Sequence, residues 1–329
     1  MKKFINDPNQ VVEEMLEGMV KAHGDLLKQV PGATVIARKD APVQSKTALV
    51  SGGGSGHEPS HAGFVGKGML DAAVAGEVFT SPTPDQVFEA IKAVDSGEGV
   101  LLIIKNYTGD VMNFEMAAEL AEMEGIKVDK VVVNDDVAVE DSTYTTGRRG
   151  IAGTVFVHKL AGAKAETGAN LAEVKATAEK TIANVRSMGI ALTPCTIPAA
   201  GKAGFQIAED EMEVGMGIHG EPGISRDKIK SADEVAEILL TKIFEDGVHQ
   251  SGDEVAVMIN GMGGTPLMEL YILNGKVNDI LKEKGIAIHK TFVGEYMTAI
   301  EMAGLSVSLL KLDDELKELL EAPTNAVGF

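Results

Sequence analysis

Short apolar runs alternate with helix-patterned segments across residues 47–135, and this rhythm leaves few folds open. ALV (48–50) runs into glycines, and LDAAVAG (70–76) is strand-like. PDQVFEAIKAV (84–94) has helical spacing behind the start signal Ser81-Pro82-Thr83, and VLLIIK (100–105) is a buried-strand run. MNFEMAAELAEMEG (112–125) is an amphipathic helix closed by glycine, and VDKVVVND (128–135) is a further strand. A β-α-β-α order of this kind predicts an α/β domain around a largely parallel sheet.

Residues 151–188 change character, giving two helical segments broken at AETGAN (165–170) and no strong strand. IALTPCTIP (190–198) restarts the strand pattern. SADE (231–234) is a capping box before VAEILLTKIFEDG, worth about 1 kcal/mol of local helix stability. DEVAVMING (253–261) is a strand entering a glycine loop. PLMELYILNGKVNDILKEKG (266–285) is helical with an Asn-Gly break, and IAIHKTFVG (286–294) and SVSLLKL (306–312) are strands. The expected fold is two α/β domains, each around a mixed, largely parallel sheet, spanning 1–188 and 189–329. The first carries a glycine loop (51–60) and the Lys105/Asp110 loop; the second carries the His219 loop, with a C-terminal tail free to return to the first domain. A length of 329 residues fits two domains, at roughly 150 residues each. No flexible linker separates them, so they are expected to pack together.

Composition narrows the function. The net charge of −19 argues against nucleic acid and acidic membranes as partners. The single cysteine, Cys195, excludes an internal disulfide framework and a cysteine-based zinc site. The N-terminus MKKFINDPNQVVEEM lacks the apolar core of a secretory signal, and no apolar run approaches the roughly 18 residues of a membrane span. A cytoplasmic protein is the expectation.

Three loops carry the candidate chemistry. TALVSGGGSGHEPSHAGF (47–64) reads as a strand, a glycine-rich loop and a helix start, with five glycines in all. Glycines let backbone approach a ligand closely, and loop N–H groups can hold its oxygens. Neither the dinucleotide pattern G-x-G-x-x-G nor the P-loop pattern is met, since Lys67 is followed by Gly68. HEPSH (57–61) matches H-E-x-x-H in form, but Pro59 between the histidines denies the regular helix that such a zinc site needs. Pro59 fits the first helical position and leaves His57 in the loop, as a backbone-bonded histidine or a functional one.

LLIIKNYTGDVMNF (101–114) is a buried strand, a short loop and a helix. Lys105, Tyr107 and Asp110 fall at the strand's carboxyl end, where open α/β sheets bind ligands. Asp110 fits an N-cap as well as a ligand-binding carboxylate, and Lys105 fits a snorkelling lysine as well as a donor to ligand oxygens. GMGIHGEPG (215–223) sets His219 among four glycines. Nothing near it has metal-ligand spacing. It fits a turn residue, a general base or a nucleophile, since a neutral imidazole can add to an electrophilic carbonyl.

SGGGSGHEPSHAGFVGKGMLDAAVAGEVFTSP (51–82), IIKNYTGDVMNFEMAAE (103–119) and GMGIHGEPG (215–223) closely resemble the substrate-binding subunit of dihydroxyacetone kinases. So do STYTTGRRGIAGTVFVHKLAGA (142–163) and NGMGGTPLMELYI (260–272). The resemblance runs nearly end to end and implies two α/β domains and a homodimer. It implies that His219 bonds covalently to the dihydroxyacetone carbonyl carbon as a hemiaminal. Gly54, Lys105 and Asp110 would hydrogen-bond the substrate hydroxyls, and His57 and Asp110 would act as the catalytic pair. Single-chain members carry a further nucleotide-binding domain, whereas this sequence ends at Phe329 with no P-loop and no acidic cluster suited to Mg²⁺. The resemblance therefore implies the stand-alone subunit, with no cofactor or metal on this chain. ADP or ATP with Mg²⁺ would sit on a nucleotide-bearing partner, recharged through a phosphocarrier from phosphoenolpyruvate. Two competing readings are a dihydroxyacetone-binding co-activator without catalysis, and a metal-dependent hydrolase using His57, His61 and Asp110. Arg148 and Arg149, a basic pair in an acidic chain, are expected either at the partner and its phosphates or solvated at a helix end.

Overall fold

The computed structural model describes residues 2–141 and 145–329; Ser142, Thr143 and Tyr144, which open the motif at 142–163, lie outside the described residues. In the first half the order is α1 (Val11–Ala22), β1 (Leu27–Gln29), β2 (Val35–Arg38), β3 (Ala48–Ser55), β4 (Ala72–Val78), α2 (Pro84–Val94), β5 (Val100–Lys105), α3 (Thr108–Met123), β6 (Val128–Val133), α4 (Thr154–Glu166) and α5 (Leu171–Asn184). The second half holds β7 (Val185–Ala191), β8 (Glu211–Val214), β9 (Ser225–Lys228), α6 (Ala232–Glu245), β10 (Glu254–Gly261), α7 (Leu267–Glu283), β11 (Ala287–Glu295), β12 (Gly304–Lys311) and α8 (Asp314–Glu321).

The first sheet has the order β1-β2-β4-β3-β5-β6. Its β4-β3-β5-β6 part is parallel, and β1 and β2 extend it antiparallel. VLLIIK shows why the strand had to be apolar as far as Lys105: all six residues of β5 are buried. Leu101 and Ile103 face one cluster with Phe156 and Leu160 of α4, while Val100, Leu102 and Ile104 face another with Ile91 of α2 and Phe114 of α3. A parallel strand covered by helices on both sides has no solvent face to make polar.

The second sheet has the order β11-β10-β12-β7-β8-β9. The expected α/β architecture with mixed sheets holds, but this sheet is not largely parallel. Only β10–β11 runs parallel, and the pairings β10–β12, β12–β7, β7–β8 and β8–β9 are antiparallel. The connections from β7 to β8 and from β8 to β9 contain no helix, and strands joined that way return antiparallel. Residue 188 lies inside β7, which pairs with β12 in the second sheet. The capping box forms at Ser231 and Glu234. No break occurs at Asn274-Gly275: α7 runs on through it, anchored by buried Leu270, Leu273, Val277 and Leu281. That apolar face outweighs the cost of about 1 kcal/mol for a helical glycine.

The two sheets share a core. α4 is buried along nearly its whole length and lies in one cluster with Leu49 and Leu101 of the first sheet and Ala256, Met258 and Leu310 of the second. Leu316, Leu319 and Leu320 of α8 join the same cluster. The last residues run back along the first half, where Gly328 N donates to Gly63 O at 2.8 Å. α4 reaches this depth because Gly162 lies against the chain at Met69: a Cβ there would stand 2.7 Å from Met69 N. Gly162→Ala should therefore lower the unfolding free energy by about 1–3 kcal/mol, as overpacking does elsewhere. Urea denaturation reads this, and an unchanged midpoint would mean that the contact gives way freely.

Candidate functional site

The glycines of SGGGS do not form a loop. They belong to β3, which stays paired with β4 as far as Ser55. A Cβ at Gly54 would stand 2.6 Å from Thr80 N, so the strand end and the Phe79–Thr80 turn can only close on each other without a side chain. The strand delivers His57 just beyond its carboxyl end. No helix begins at Pro59; a short 3₁₀ turn follows at Ala62–Phe64. His57 and His61 go to different partners, so HEPSH makes no ligand pair. Among the described residues no group of three or more His, Cys, Asp or Glu is placed to hold a metal ion.

His57 is fully buried, and its Nδ1 lies 2.7 Å from the Thr298 carbonyl. A carbonyl only accepts, so Nδ1 carries the proton and Nε2 carries the lone pair. That Nε2 has no partner. Burial, reinforced by the nearness of His219 and Lys105, pushes the ring well below the usual histidine range. His57 is thus a neutral acceptor aimed into the site.

Lys105 ends β5, and Asp110 lies in the first turn of α3. Asp110 is not the N-cap: Tyr107 holds that position, without a side-chain capping bond. The Asp110 carboxylate instead turns inward, with Oδ2 3.6 Å from Lys105 Nζ and Oδ1 buried without a partner. Lys105 is fully buried and does not snorkel. A Cβ at Gly53 would collide with Lys105 Nζ and come within 3.5 Å of Asp110 Oδ2, so the glycine strand, the ammonium and the carboxylate meet at one point.

The loop holding His219, between β8 and β9, is tied down. Met216 and Ile218 are buried, Gly215 N donates to Gly189 O at 2.8 Å, and Gly223 N donates to Glu213 Oε1 at 3.0 Å. Glu221 grips His219 twice, accepting from its backbone N–H and from ring Nδ1, each at 2.8 Å. Burial would raise the Glu221 carboxyl, but His219 and Arg149 hold it down at about 2. An ionised carboxylate only accepts, so the His219 proton sits on Nδ1 and Nε2 is the free nitrogen. The imidazole lies edge-on to three rings: His57 at 4.8 Å, Tyr107 at 4.7 Å and Phe79 at 5.3 Å between centroids. Phe79 also stacks on His57 at 5.1 Å. It does so from a left-handed backbone, φ 56°, a strain that surrounding structure must hold.

His219, His57, Lys105 and Asp110 therefore converge, with Tyr107 between the two halves: its ring meets His219 and lies 5.9 Å from Lys105 Nζ. Three buried polar atoms here lack partners: His57 Nε2, Asp110 Oδ1 and Tyr107 Oη. Unpartnered buried atoms are costly unless something fills them, and a small polar molecule would.

Sequence reasoning missed Glu221, Phe79 and Arg149 in these places. HGEPG offered a signal for Glu221, a carboxylate two residues from the histidine. Arg149 is not a partner contact. It is fully buried, donating to Asp136 Oδ2 at 2.8 Å and, through Nη2, to Gly215 O at 2.7 Å. Arg148 is ion-paired to Asp246.

Fold and site define a two-sheet α/β protein in which a glycine strand, a lysine-carboxylate pair and two histidines meet around unpartnered buried polar atoms. The chain belongs to the Dak1 domain family, which matches residues 17–328. It is 57% identical, over all of both chains, to the dihydroxyacetone-binding subunit of PTS-dependent dihydroxyacetone kinase 1 of Listeria innocua. The solved dihydroxyacetone kinase of C. freundii matches at 36% identity and TM-score 0.92, over 99% of this chain and 60% of that one. A solved dihydroxyacetone kinase operon co-activator matches at 35% identity and TM-score 0.90, over 96% of this chain and 97% of that one. Among the described residues no helix is long and apolar enough to cross a membrane.

Buried neutral histidines tie stability to pH. Outside the site, burial and Arg186 push His249 down to about 4. Unfolded, it takes a proton near the ordinary histidine value of 6.5, whereas folded it does not. Its contribution is complete above that unfolded value and is lost as pH falls from there towards the folded one. Between pH 6.5 and 5 the wild type should lose stability faster than His249→Gln, by up to about 1.4 kcal/mol per pH unit. Urea midpoints across that range test this; equal slopes would mean that His249 is charged when folded.

Proposed function

We propose that this chain is the dihydroxyacetone-binding subunit of a dihydroxyacetone kinase, holding the ketone on His219 and presenting one of its hydroxyls to a phosphoryl donor on a nucleotide-bearing partner. The observation that carries this reading is the convergence in one site of a free His219 Nε2 and two unpartnered acceptors, His57 Nε2 and Asp110 Oδ1.

The chemistry follows from the assigned protons. His219 Nε2 adds to the carbonyl carbon, the carbonyl π pair moves to oxygen, and that oxygen takes up a proton from solvent. The N-substituted ring is cationic and keeps its Nδ1–H on the ionised Glu221 carboxylate, so the step takes up one proton in all. Glu221 stabilises that charge and keeps the reacting nitrogen free. Lys105, Asp110 and the backbone of Gly54 are the groups that would bind hydroxyls. Transfer requires a base within hydrogen-bond reach of the hydroxyl proton, and His57 Nε2 and Asp110 Oδ1 are the two groups free to take it. Positioning and charge do most of the remaining work in phosphoryl transfer. Glycerol has similar hydroxyls but no carbonyl, so it cannot form the adduct. That selectivity exceeds what shape gives for so small a ligand.

PTS dependence in the Listeria relative supports a donor recharged through a phosphocarrier. The likeness to a co-activator raises a second reading, in which ligand is bound and nothing transferred. His57 Nε2 and Asp110 Oδ1 favour transfer, because binding uses them only as hydrogen-bond acceptors whereas transfer needs a base at the hydroxyl.

Native mass spectrometry with dihydroxyacetone at neutral pH should show the ligand retained by the wild type and lost from His219→Ala; retention by the variant rules out the covalent assignment. Asp110→Ala should lower transfer by about 10²- to 10⁴-fold, the usual scale for a positioned acid or base, while binding persists. A coupled assay with the nucleotide-bearing partner measures this, and full activity would reduce Asp110 to a structural residue. The same assay without partner should give no turnover from ATP.

A further inference from the structure

A buried polar chain lies behind Lys105, and the chemistry above makes no use of it. Lys105 Nζ is 3.1 Å from His61 Nε2, and His61 Nδ1 is 2.9 Å from His158 Nε2. Lys105 and His158 are fully buried and His61 is nearly so. His158 projects from α4, the helix shared by both sheets, and its ring lies 6.3 Å from that of Phe64.

Proton counting fixes the direction of every bond in this chain. An ammonium has three N–H groups and no acceptor, so His61 Nε2 must accept from it. A neutral ring accepting at Nε2 carries its proton on Nδ1, which donates to His158 Nε2. His158 then carries its proton on Nδ1, where it has no partner. Burial and the Lys105 charge push both rings far below the usual histidine range, His158 to about 3, so neither takes the positive charge from the lysine.

We propose that His61, locked in one tautomer by His158, is a positioning residue for Lys105: a neutral acceptor that fixes the ammonium without adding negative charge to that of Asp110, its ion-pair partner. A carboxylate in the same place would also fix the lysine but would make two negative groups surround one positive one. With one N–H held by His61, the remaining two are left for Asp110 and for the space beside Gly53. That Lys105 donates to a substrate oxygen rests on the function proposed above; the proton arrangement of the two histidines does not.

Two measurements test this. Heteronuclear NMR of the imidazole nitrogens in the wild-type protein without ligand should show His61 and His158 both neutral, each with its proton on Nδ1. A proton on His61 Nε2, or a charged ring at either position, would overturn the proposal whatever the substrate is. The second measurement is a double-mutant cycle on dihydroxyacetone affinity. His61→Leu should weaken binding about tenfold, the scale of one hydrogen bond to a charged group, and His61→Gln, which restores an acceptor, should recover most of it. In a Lys105→Met background His61→Leu should add nothing further. An undiminished affinity in His61→Leu, or an equal loss in both backgrounds, would refute a role through Lys105. If the wild type binds no dihydroxyacetone, the functional reading fails and the NMR result still decides the positioning role.

Discussion

Arg149 makes the contact on which the site depends. Its buried guanidinium bonds the Asp136 carboxylate just after β6, and it bonds the Gly215 carbonyl at the start of the His219 loop. Two regions far apart in sequence are thereby held together at a point with no exposure. A buried ion pair is a weak source of net stability, because desolvating both charges cancels most of the attraction. Breaking one is another matter: an uncompensated buried charge costs about 3–5 kcal/mol. The pair therefore acts as a registration device, penalising any arrangement in which the His219 loop drifts from the carboxyl ends of the first sheet.

Around that fixed point the side chains divide their work by proton count. Glu221 accepts from His219 and so frees its Nε2; the Thr298 carbonyl accepts from His57 and frees that ring's Nε2. In both cases a partner that can only accept decides which nitrogen faces the site. Burial lowers His57 in the same direction, so the ring is a neutral acceptor rather than a cation. Asp110 and Lys105 supply the fixed charges, kept close by the absence of a side chain at Gly53. The groups of the candidate site are already oriented, which limits the reorganisation that a ligand there would have to induce.

Some of this was legible in the chain. The strands at VLLIIK and DEVAVMING and the helix at PDQVFEAIKAV were readable because their periodicity matches their burial. The SADE capping box was readable because its bonds are local. The glycine run reads as a loop in the sequence, since glycine weakens a strand by itself and only the close approach of β4 and the Phe79–Thr80 turn explains it there. The Asn-Gly pair in α7 reads as a break for the reciprocal reason: a local breaking signal loses to a buried apolar face. The direction of the second sheet was out of reach because strand direction follows from which connections carry helices.

The sequence by itself determined the alternation of elements, the apolar depth of β5, and the residue types able to do chemistry: His57, Lys105, Asp110 and His219. It also carried a resemblance specific enough to place the chain in its family. Only the tertiary structure decided that these residues meet, that Asp110 turns inward instead of capping α3, and that Arg149 is sealed inside instead of facing a partner. The physical reason is range. Propensity, capping and periodicity act over a few residues and can be read from the chain. Which lone pair is free, and which charge is buried beside which, depends on partners such as Thr298, 241 positions from His57.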